Sequence, residues 1–357
     1  MSFTRITTAA ALISAGLGLA ACGGSGSAPP TAGYAQQPAS IAGEHGRPAT
    51  SCLTSACIYV TDISKTDKAK SNSVNIYAES ATGDTPPLDR LMGSKTKLGR
   101  PSGIAVDVSH NVYVTGGGGD SGSPPYVAVY SPGTYGNAKP SSIIEGSLTG
   151  LYLPDDIAVD SSSNIYVTNN AYGDCPSGCG SVVVFAAGAH GNVPPAQVIV
   201  GSYTELYCPN GIAVDADQNI YVSNYDNSSI TVYAAGSTGN VSPSQTIAGN
   251  YTDISGPGDI AVSASKNIYV ADYAGAELLV FAAGSNGNVV PIQVVSGPNT
   301  GLSSPQGMAL DSSDNMYVTD DKSILVYASN ANGNTPPIQA IIGKKTKLTF
   351  PKGIAVR

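Results

Sequence analysis

Short apolar runs bounded by turn residues recur along the chain from Cys57 to its end. In one representative stretch the runs are Ile157–Asp160, Ile165–Thr168, Val182–Ala186 and Gln197–Val200. Each run is rich in Val, Ile and Tyr, and Gly, Pro, Asn or Ser lies at its ends, which is typical of short β-strands. No stretch beyond the N-terminus has the apolar spacing of a helix. The pattern therefore predicts an all-β protein with four strands in each repeating stretch.

Two phrases repeat along the chain and set the length of the repeating unit. The first is Pro-x-Gly-Ile-Ala-Val-Asp with small variations, and its six copies are 46 to 55 residues apart. The second, Asn-x-Tyr-Val, follows each of the first five copies. A period of about 50 residues with several short strands in each unit indicates a β-propeller. The copies of the first phrase begin at Pro101, Pro154, Pro209, Pro257, Pro305 and Pro351.

The first and last repeats are incomplete in complementary ways. Tyr59-Val60 has no copy of the first phrase before it, and the copy that begins at Pro351 has no Tyr-Val after it. A row of four-stranded sheets would leave exposed edges at its two ends, and closing the row into a ring removes them. We therefore predict a six-bladed propeller of four-stranded antiparallel blades, in which the strands Ile58–Asp62 and Gly353–Val356 pair and complete one blade.

These two phrases resemble the NHL repeats of six-bladed propellers. The resemblance spans roughly Ser51–Arg357, and it implies the propeller fold but no single function, because the scaffold carries both enzymes and binding modules. The residue before the Asn of the second phrase is usually Gly in that family, whereas Ser163, Gln218 and Lys266 are among the residues found here. Tryptophan is absent, which argues against the WD-repeat alternative.

The N-terminus has the features of an export signal. Arg5 precedes a weakly apolar run, Ile6–Ala21, which is short for a membrane-spanning helix. The sequence Leu19-Ala20-Ala21-Cys22 resembles a bacterial lipobox, which implies cleavage before Cys22 and attachment of lipid to its side chain. The following residues are rich in Gly, Ser, Ala and Pro, a composition typical of a flexible tether.

These features predict three segments and a cellular location. We expect a signal peptide over residues 1–21, a tether over 22–50 and the propeller over 51–357. The protein would be a monomer that lies outside the cytoplasm and is anchored to a bacterial membrane through the lipid on Cys22.

The other cysteines fit the oxidising conditions outside the cytoplasm, and we expect them to form structural disulfides. Their number is odd, so one thiol is left over or pairs outside the chain. A zinc site is not expected, because no second Cys or His pair lies nearby in the sequence. The candidates are Cys52, Cys57, Cys175, Cys179 and Cys208.

The net charge of the chain limits the classes of molecule that we expect it to bind. It carries 17 basic and 25 acidic residues, a formal net charge of −8. An acidic chain offers no general electrostatic footprint for phosphate backbones, so we expect no nucleic-acid partner. A protein or a glycan remains as the partner class.

Two recurring positions are predicted to surround one mouth of the central channel, on the side that we call the top face. Polar groups that converge on a concave mouth are typical of a ligand site, although Asp and Asn also cap turns. The first set is the variable residue of Pro-x-Gly: Ser102, Asp155, Asn210, Gly258, Gln306 and Lys352. The second set follows the Tyr-Val strand: Asp62, Gly116, Asn169, Asn224, Asp272 and Asp320. Three tyrosines in the same loops offer stacking surface: Tyr172, Tyr225 and Tyr273.

An enzymatic alternative follows from a second resemblance. Asp155-Asp156 and Asn210-Gly211 resemble the channel positions that hold a divalent ion in the gluconolactonase family of six-bladed propellers. Carboxylate and amide oxygens suit calcium, and a bound ion would polarise a lactone carbonyl and acidify water. The diagnostic glutamate of that family has no counterpart here, and Lys352 in the same ring opposes a cation. No Gly-x-Ser-x-Gly elbow for a hydrolase triad precedes a helix.

We therefore expect a membrane-anchored binding module that takes a protein or glycan partner through its top face. No catalytic residue is assigned. The alternative is a divalent-metal-dependent lactonase with calcium held by Asp155 and Asn210. The expected ligand-binding residues are Asp155, Asn169, Asn210, Asn224, Tyr225, Asp272, Tyr273, Gln306, Asp320 and Lys352.

Overall fold

The computed structural model describes residues 51–65, 70–119, 122–170 and 180–357. The described residues form six four-stranded sheets and one short helix, α1 (Ser51–Thr54). Within these ranges no helix is long and apolar enough to span a membrane. The predicted features that lie outside the described residues are the signal peptide, the tether, Cys22, Tyr172, Cys175 and Cys179.

Each sheet is one blade, and the blades are numbered from the one that contains the first strand. Blade 1 consists of β1 (Cys57–Asp62), β2 (Ser73–Ala78), β3 (Asp89–Met92) and β24 (Pro351–Val356). Blade 2 consists of β4 (Pro101–Val106), β5 (Val112–Gly116), β6 (Tyr126–Tyr130) and β7 (Ser142–Glu145). Blade 3 consists of β8 (Pro154–Val159), β9 (Ile165–Asn169), β10 (Ser181–Phe185) and β11 (Gln197–Val200).

The remaining three blades repeat this arrangement. Blade 4 consists of β12 (Pro209–Val214), β13 (Ile220–Asn224), β14 (Ser229–Tyr233) and β15 (Gln245–Ile247). Blade 5 consists of β16 (Pro257–Val262), β17 (Ile268–Asp272), β18 (Glu277–Phe281) and β19 (Gln293–Val295). Blade 6 consists of β20 (Pro305–Leu310), β21 (Met316–Asp320), β22 (Ser323–Tyr327) and β23 (Gln339–Ile342).

Neighbouring strands of every blade pair antiparallel. In blade 4, for example, Ile212 of β12 is paired with Val222 of β13, which is paired in turn with Thr231 of β14. The innermost strands of adjacent blades contact each other around the channel. In all six innermost strands the register shifts within the first phrase, as at Pro209/Ile212. Such an irregularity bends a strand and re-aims its side chains, here at the entrance of the channel.

Blade 1 joins the two ends of the propeller. Strand β24 pairs with β1, with Tyr59 opposite Ala355. The N–H of Cys57 donates to the carbonyl of Arg357 at 2.7 Å, and the N–H of Arg357 donates back to Cys57 at 3.0 Å. The predicted six-bladed all-β propeller, with one blade completed by both ends of the chain, is therefore confirmed.

The apolar core is divided into clusters between the blades. The third strand of each blade has a fully buried aromatic residue at its end or, in blade 1, one residue before it, which contributes about 2–3 kcal/mol through removal of apolar surface from water. In blade 4 the hydroxyl of Tyr233 donates to the carbonyl of Thr204, so the polar tip of the ring is satisfied. The six aromatic residues are Tyr77, Tyr130, Phe185, Tyr233, Phe281 and Tyr327.

The Asp, Asn and Tyr of the repeated phrases build a tight turn between the first two strands. Asp160 Oδ1 accepts hydrogen bonds from the N–H groups of Ser162 and Asn164, and Oδ2 accepts from Asn164 Nδ2 and the Tyr166 hydroxyl. Desolvation raises the pKa of Asp160, but these hydrogen bonds outweigh it and leave the pKa lowered. Asp107 and Asp215 form the same turn. Much of the repeat signature is therefore structural.

Three of the candidate cysteines lie in the described residues. Cys52 in α1 forms a disulfide with Cys57 at the start of β1. The thiol of Cys208 is buried and donates to Asp226 Oδ2 at 2.6 Å. Burial and the neighbouring Asp226 carboxylate raise the pKa of Cys208 to about 12, so this sulfur is a protonated thiol at neutral pH.

Candidate functional site

The variable residues of the first phrase meet at one mouth of the channel. Each is the second residue of an innermost strand, so the six-fold repetition of the fold brings the six residues together. They line a cavity of about 80 Å³. We call this set the mouth ring, which consists of Ser102, Asp155, Asn210, Gly258, Gln306 and Lys352.

The mouth ring is hydrogen-bonded in two arcs. Ser102 Oγ donates to Asp155 Oδ1. Asn170 Nδ2 donates to Asn210 Oδ1 at 2.6 Å and, more weakly, to Asp155 Oδ2 at 3.4 Å. On the other side Lys352 Nζ donates to Gln306 Oε1 at 2.7 Å. Gly258 has no side chain and leaves the ring open in one sector.

The residues that follow the Tyr-Val strands are buried and hold the loops that enter the blades. Asp272 accepts hydrogen bonds from the N–H groups of Ser255 and Gly256 at 2.6 and 2.8 Å. Asp320, Asp62, Asn169 and Asn224 accept from the equivalent loops of their own blades. Gly116 has no side chain for such a contact. The side-chain oxygens of this second set therefore already accept hydrogen bonds from the loops. Ligand binding by these residues stays a prediction.

Two aspartates lie just inside the mouth ring. The sequence named Asp156 only as part of the Asp155-Asp156 resemblance to a metal-holding position, and it did not indicate Asp259. Asp156 on β8 and Asp259 on β16 line the 80 Å³ cavity, and their carboxyl groups are within hydrogen-bonding distance of each other. Asp156 Oδ2 also accepts from the N–H of Ile212 at 2.9 Å, and Asp259 Oδ2 from that of Met308 at 2.8 Å. Each carboxyl group therefore connects its blade to the next one.

The signal for this carboxyl pair was present in the repeat. Four copies of the first phrase have Gly at the third position, whereas the copies in blades 3 and 5 have Asp. Glycines on neighbouring strands leave space for the two carboxyl groups. A Cβ atom at Gly103 would lie 2.6 Å from Asp156 Oδ1, and one at Gly211 would lie 2.7 Å from Asp259 Oδ1.

The enclosed position of the pair changes its protonation. Desolvation and then the charge of Asp259 raise the pKa of Asp156 well above its ordinary value. Desolvation raises the pKa of Asp259 to about 6, against the opposing hydrogen bonds from Met308, Asp156 and Ile260. Two neighbouring carboxyl groups do not readily ionise together in a desolvated site, so the pair holds a shared proton at neutral pH.

A cleft of about 320 Å³ on the top face adjoins the mouth ring. Cavity and cleft share Ser102, Asp155 and Lys352, so they form one continuous concave surface across blades 1 to 3. Desolvation and the charge of nearby Arg100 lower the pKa of Lys352, while Asp155 opposes this shift. The other side chains that line the cleft include Ile63, Arg100, Tyr152, Leu153 and Asn170.

Asn170 was also missed from the sequence. Its side chain is only 1% exposed, and its Oδ1 has no hydrogen-bond partner in the part of the chain that the structure describes. A buried acceptor without a donor costs about 1–3 kcal/mol, which a bound ligand with a hydroxyl group would recover. The nearest sequence signal was Asn169, one residue earlier, whose side chain holds a loop instead.

The oxygens that were predicted to hold a metal ion meet at Asn170. Its Nδ2 contacts both Asp155 Oδ2 and Asn210 Oδ1. If the Asn170 amide were rotated by half a turn, its oxygen would point at Asp155 Oδ2 and Asn210 Oδ1. One carboxylate oxygen and two amide oxygens would then face one another. These ligands suit calcium by type, but three fall short of the six to eight oxygens that calcium takes, unless water supplies the rest. Within the described residues no three His, Cys, Asp or Glu side chains are placed to hold a metal.

The predicted aromatic residues form a pair away from the cleft. The ring centroids of Tyr225 and Tyr273 are 6.3 Å apart with planes at 54°, and Tyr273 is 38% exposed. Neither lines the mouth cavity or the cleft. Nearby Glu277 has its pKa raised to about 7 by desolvation and by the carboxylates of Asp272 and Asp253.

Comparisons with known proteins agree with this architecture. The model of the NHL repeat matches residues 206–233, which span β12 to β14. A candidate 6-phosphogluconolactonase from Bacteroides fragilis is 14% identical with a TM-score of 0.55, over 86% of this chain and 99% of that one. A periplasmic gluconolactonase from Pseudomonas aeruginosa is 15% identical with a TM-score of 0.56, over 84% and 99% of the two chains. No curated protein matches the sequence.

The fold and the repeats together define the class of protein. It is a six-bladed β-propeller that carries an NHL repeat, as the sequence phrases predicted. The low identities to the two solved structures support the propeller fold and no more.

Proposed function

We propose that the propeller is a binding module whose top-face cleft takes a glycan. The observation that carries this proposal is the continuous concave surface formed by the mouth cavity and the 320 Å³ cleft. Its size reaches the lower end of the range for small-molecule sites. Carboxylate, amide, hydroxyl and cationic side chains converge there, and such groups recognise a ligand rich in hydroxyl groups. The described residues that line the cleft mix polar and apolar side chains and form no large apolar patch of the kind that a protein partner would bury.

A glycan-binding test has a matched pair of tyrosines. Tyr152 lines the cleft and is 65% exposed, while Tyr203 is 66% exposed and does not line it. The full chain and its Tyr152→Ala, Tyr203→Ala and Asp155→Ala variants would be screened on a glycan array and titrated with any glycan retained. We expect loss of binding for Tyr152→Ala and Asp155→Ala only. Equal binding by all variants, or retention of no glycan by the full chain, would overturn the proposal.

A second candidate function is hydrolysis of a lactone at the same mouth. The Asp156–Asp259 pair favours it, because a shared proton next to a small cavity supplies both an acid and a base. The ionised carboxylate would take a proton from water as its oxygen bonds to the carbonyl carbon. The protonated partner would give its proton to the departing ring oxygen, so the product is a hydroxy acid and the pair regains one shared proton. The likeness to gluconolactonase structures supports the fold that this chemistry would use.

A lactone assay separates the metal-dependent form of this candidate from the metal-independent form. Hydrolysis of glucono-1,5-lactone by the full chain would be followed in EDTA and in added calcium. A calcium ion would be held by Asp155, Asn210 and Asn170, and would polarise the carbonyl. Activity only with calcium that is lost in the Asp155→Ala/Asn210→Ala double variant supports the metal form. Activity in EDTA that is lost in Asp156→Asn supports the carboxyl pair, and no activity in either condition rejects the candidate.

We also propose that the protein is held outside the cytoplasm by lipid on Cys22. The support is the lipobox-like sequence before Cys22 and the Cys52–Cys57 disulfide, which suits an oxidising compartment. Bacterial cells that express the chain would be labelled with a fatty acid and fractionated. Label and membrane attachment in the wild type, lost in Cys22→Ser, are expected. An unlabelled wild type in the soluble fraction would contradict this assignment.

A further inference from the structure

Two cations line the top-face cleft and form no salt bridge with any residue that the structure describes. Arg100 and Lys352 both border the 320 Å³ cleft, and each lies within electrostatic range of the other. The three salt bridges found among the described residues involve Lys266 and Lys322 instead. Most other Lys and Arg side chains among the described residues have no salt bridge either, so the distinguishing feature of Arg100 and Lys352 is that both line one cleft.

Asp155, the carboxylate in the same cleft, is held by other donors. One of its oxygens accepts from Ser102 Oγ and the other from Asn170 Nδ2. Lys352 Nζ is positioned by a hydrogen bond to Gln306 Oε1 at 2.7 Å and lies 5.0 Å from the centroid of the Phe350 ring. An ammonium group has three donors, so two remain for a ligand. The lysine is thus pre-positioned, with the Asp155 carboxylate as its nearby opposite charge.

Arg100 adopts an uncommon backbone conformation. Its φ is 45°, in the left-handed region that a bulky residue occupies at a cost of about 1–2 kcal/mol. Cys208, which directly precedes the first phrase in blade 4, has a φ of 46°, so the conformation recurs in the repeat and is held by the surrounding structure. Here the conformation belongs to the loop that leads into β4 and delivers an exposed guanidinium group to the rim of the cleft.

We infer that Arg100 and Lys352 receive the anionic group, a carboxylate or a phosphate, of a sugar-sized ligand in this cleft. The inference rests on the proposed glycan-binding function and adds the chemical class of the ligand. A guanidinium group binds such oxyanions through paired hydrogen bonds, and an ammonium group adds a point charge. Asp155 and the unpartnered Oδ1 of Asn170 are the acceptors for the ligand's hydroxyl groups.

The test compares three sugars that differ in charge. The full chain would be titrated with glucuronate, glucose 6-phosphate and glucose by calorimetry at low and at physiological ionic strength. We expect at least one anionic sugar to bind about tenfold or more tightly than glucose, which corresponds to one charge-assisted hydrogen bond. The affinity for the anionic sugar should fall as salt is added, and whichever of the two binds identifies carboxylate or phosphate as the group received.

Variants show whether the two cations are responsible. Arg100→Gln and Lys352→Gln should each weaken binding of the anionic sugar by about tenfold and weaken glucose much less. Lys139→Gln removes an exposed charge outside the cleft and should change neither. Thermal melts would establish that each variant is folded. Glucose binding as tightly as both anions would overturn the inference and retain the glycan proposal, whereas binding of none of the three sugars would overturn both.

Discussion

Glycine is absent from one position of the turn between the first two strands of the blades. Where the NHL family usually has Gly, five blades of this protein have another residue, and all five have a φ of 59° to 65°. An L-residue in this left-handed region carries a strain that Gly avoids. The turn is held by the Asp and Asn hydrogen bonds described above, which is why it persists. The five residues are His110, Ser163, Gln218, Lys266 and Asp314.

Replacing Ser163 with Gly should therefore stabilise the protein. Relief of the left-handed strain is worth about 1–2 kcal/mol, and the greater freedom of Gly in the unfolded chain removes about 0.4–1 kcal/mol of it. We expect a net gain of about 0.5–1 kcal/mol in the free energy of unfolding, measured by urea titration. Ser162→Gly is the control, because Ser162 does not have a positive φ and should lose stability. A Ser163→Gly variant no more stable than wild type would contradict the strain argument.

The carboxyl pair in the channel should make stability depend on pH in an unusual direction. Both folded-state pKa values are raised, so the native state binds more protons than the unfolded chain above about pH 4. Stability then falls as the pH rises from about 4 through 6 and beyond, because the unfolded state gives up protons that the native pair retains. For Asp259 alone this loss is on the order of 3 kcal/mol.

Asp259→Asn should flatten this part of the profile. Urea unfolding would be measured at intervals from about pH 4 to 8 for the variant and the wild type. Asp321→Asn is the matched control, since Asp321 is an exposed carboxylate whose only salt bridge is to Lys322 at 3.5 Å. We expect the control to follow the wild type. Parallel curves for Asp259→Asn and wild type would show that the pair does not share a proton.

At the scale of the elements, a hydroxyl group links the second strand to the next blade in five of the six blades. Thr168 on β9 accepts from the N–H of Asp156 at 3.0 Å and donates to the carbonyl of Asn210 in blade 4 at 2.7 Å. Four other blades repeat the donation across the blade boundary, through Thr61, Thr115, Ser223 and Thr319. Blade 5 has Ala271 at this position and so lacks the hydroxyl.

Removing the hydroxyl group at Thr168 and adding one at Ala271 should change the stability of the protein in opposite directions. Thr168→Val keeps the shape but leaves a buried donor and acceptor without a partner, so we expect a loss of about 1–3 kcal/mol. Ala271→Ser should add the missing link and gain about 1 kcal/mol. Serine is preferred to threonine because Ala271 is fully buried and has little room for another methyl group. The free energy of unfolding of both variants would be measured by chemical denaturation. A destabilised Ala271→Ser variant would show that no acceptor lies within reach of this position in blade 5.

The elements were largely predictable from the sequence, and the site only in part. Val, Ile and Tyr runs between Gly and Asn turns gave the strands, because local chemistry determines where a short strand starts and stops. The mouth ring was predictable because each member occupies the same position of a repeated unit. The pairing of Asp156 with Asp259 and the role of Asn170 were not predictable, since they depend on which side chains from other blades face them. Arg100 was missed because it lies in a loop outside both phrases.

For the whole molecule, the closing strand belongs to both the fold and the site. Strand β24 pairs with β1 and also contacts the innermost strands of blades 2 and 6. The same strand carries Lys352 into the mouth ring and the cleft. A propeller closed in this way has no free edge at the junction, so its stability depends on a pairing between distant ends of the chain. Ring closure and ligand binding should therefore be lost together.

Deletion of residues 351–357 tests this coupling. It removes the partner of β1 and the buried side chain of Ile354, whose burial alone is worth about 2–3 kcal/mol. We expect a lower and broader thermal transition, together with loss of the sugar binding attributed to Lys352. Deletion of Arg357 alone removes only two backbone hydrogen bonds to Cys57 and should have a small effect. Lys352→Gln separates the two roles, because it should weaken binding while the melting transition stays close to that of the wild type. A shortened chain that melts like the full one would mean that the remaining blades hold the ring without its closing strand.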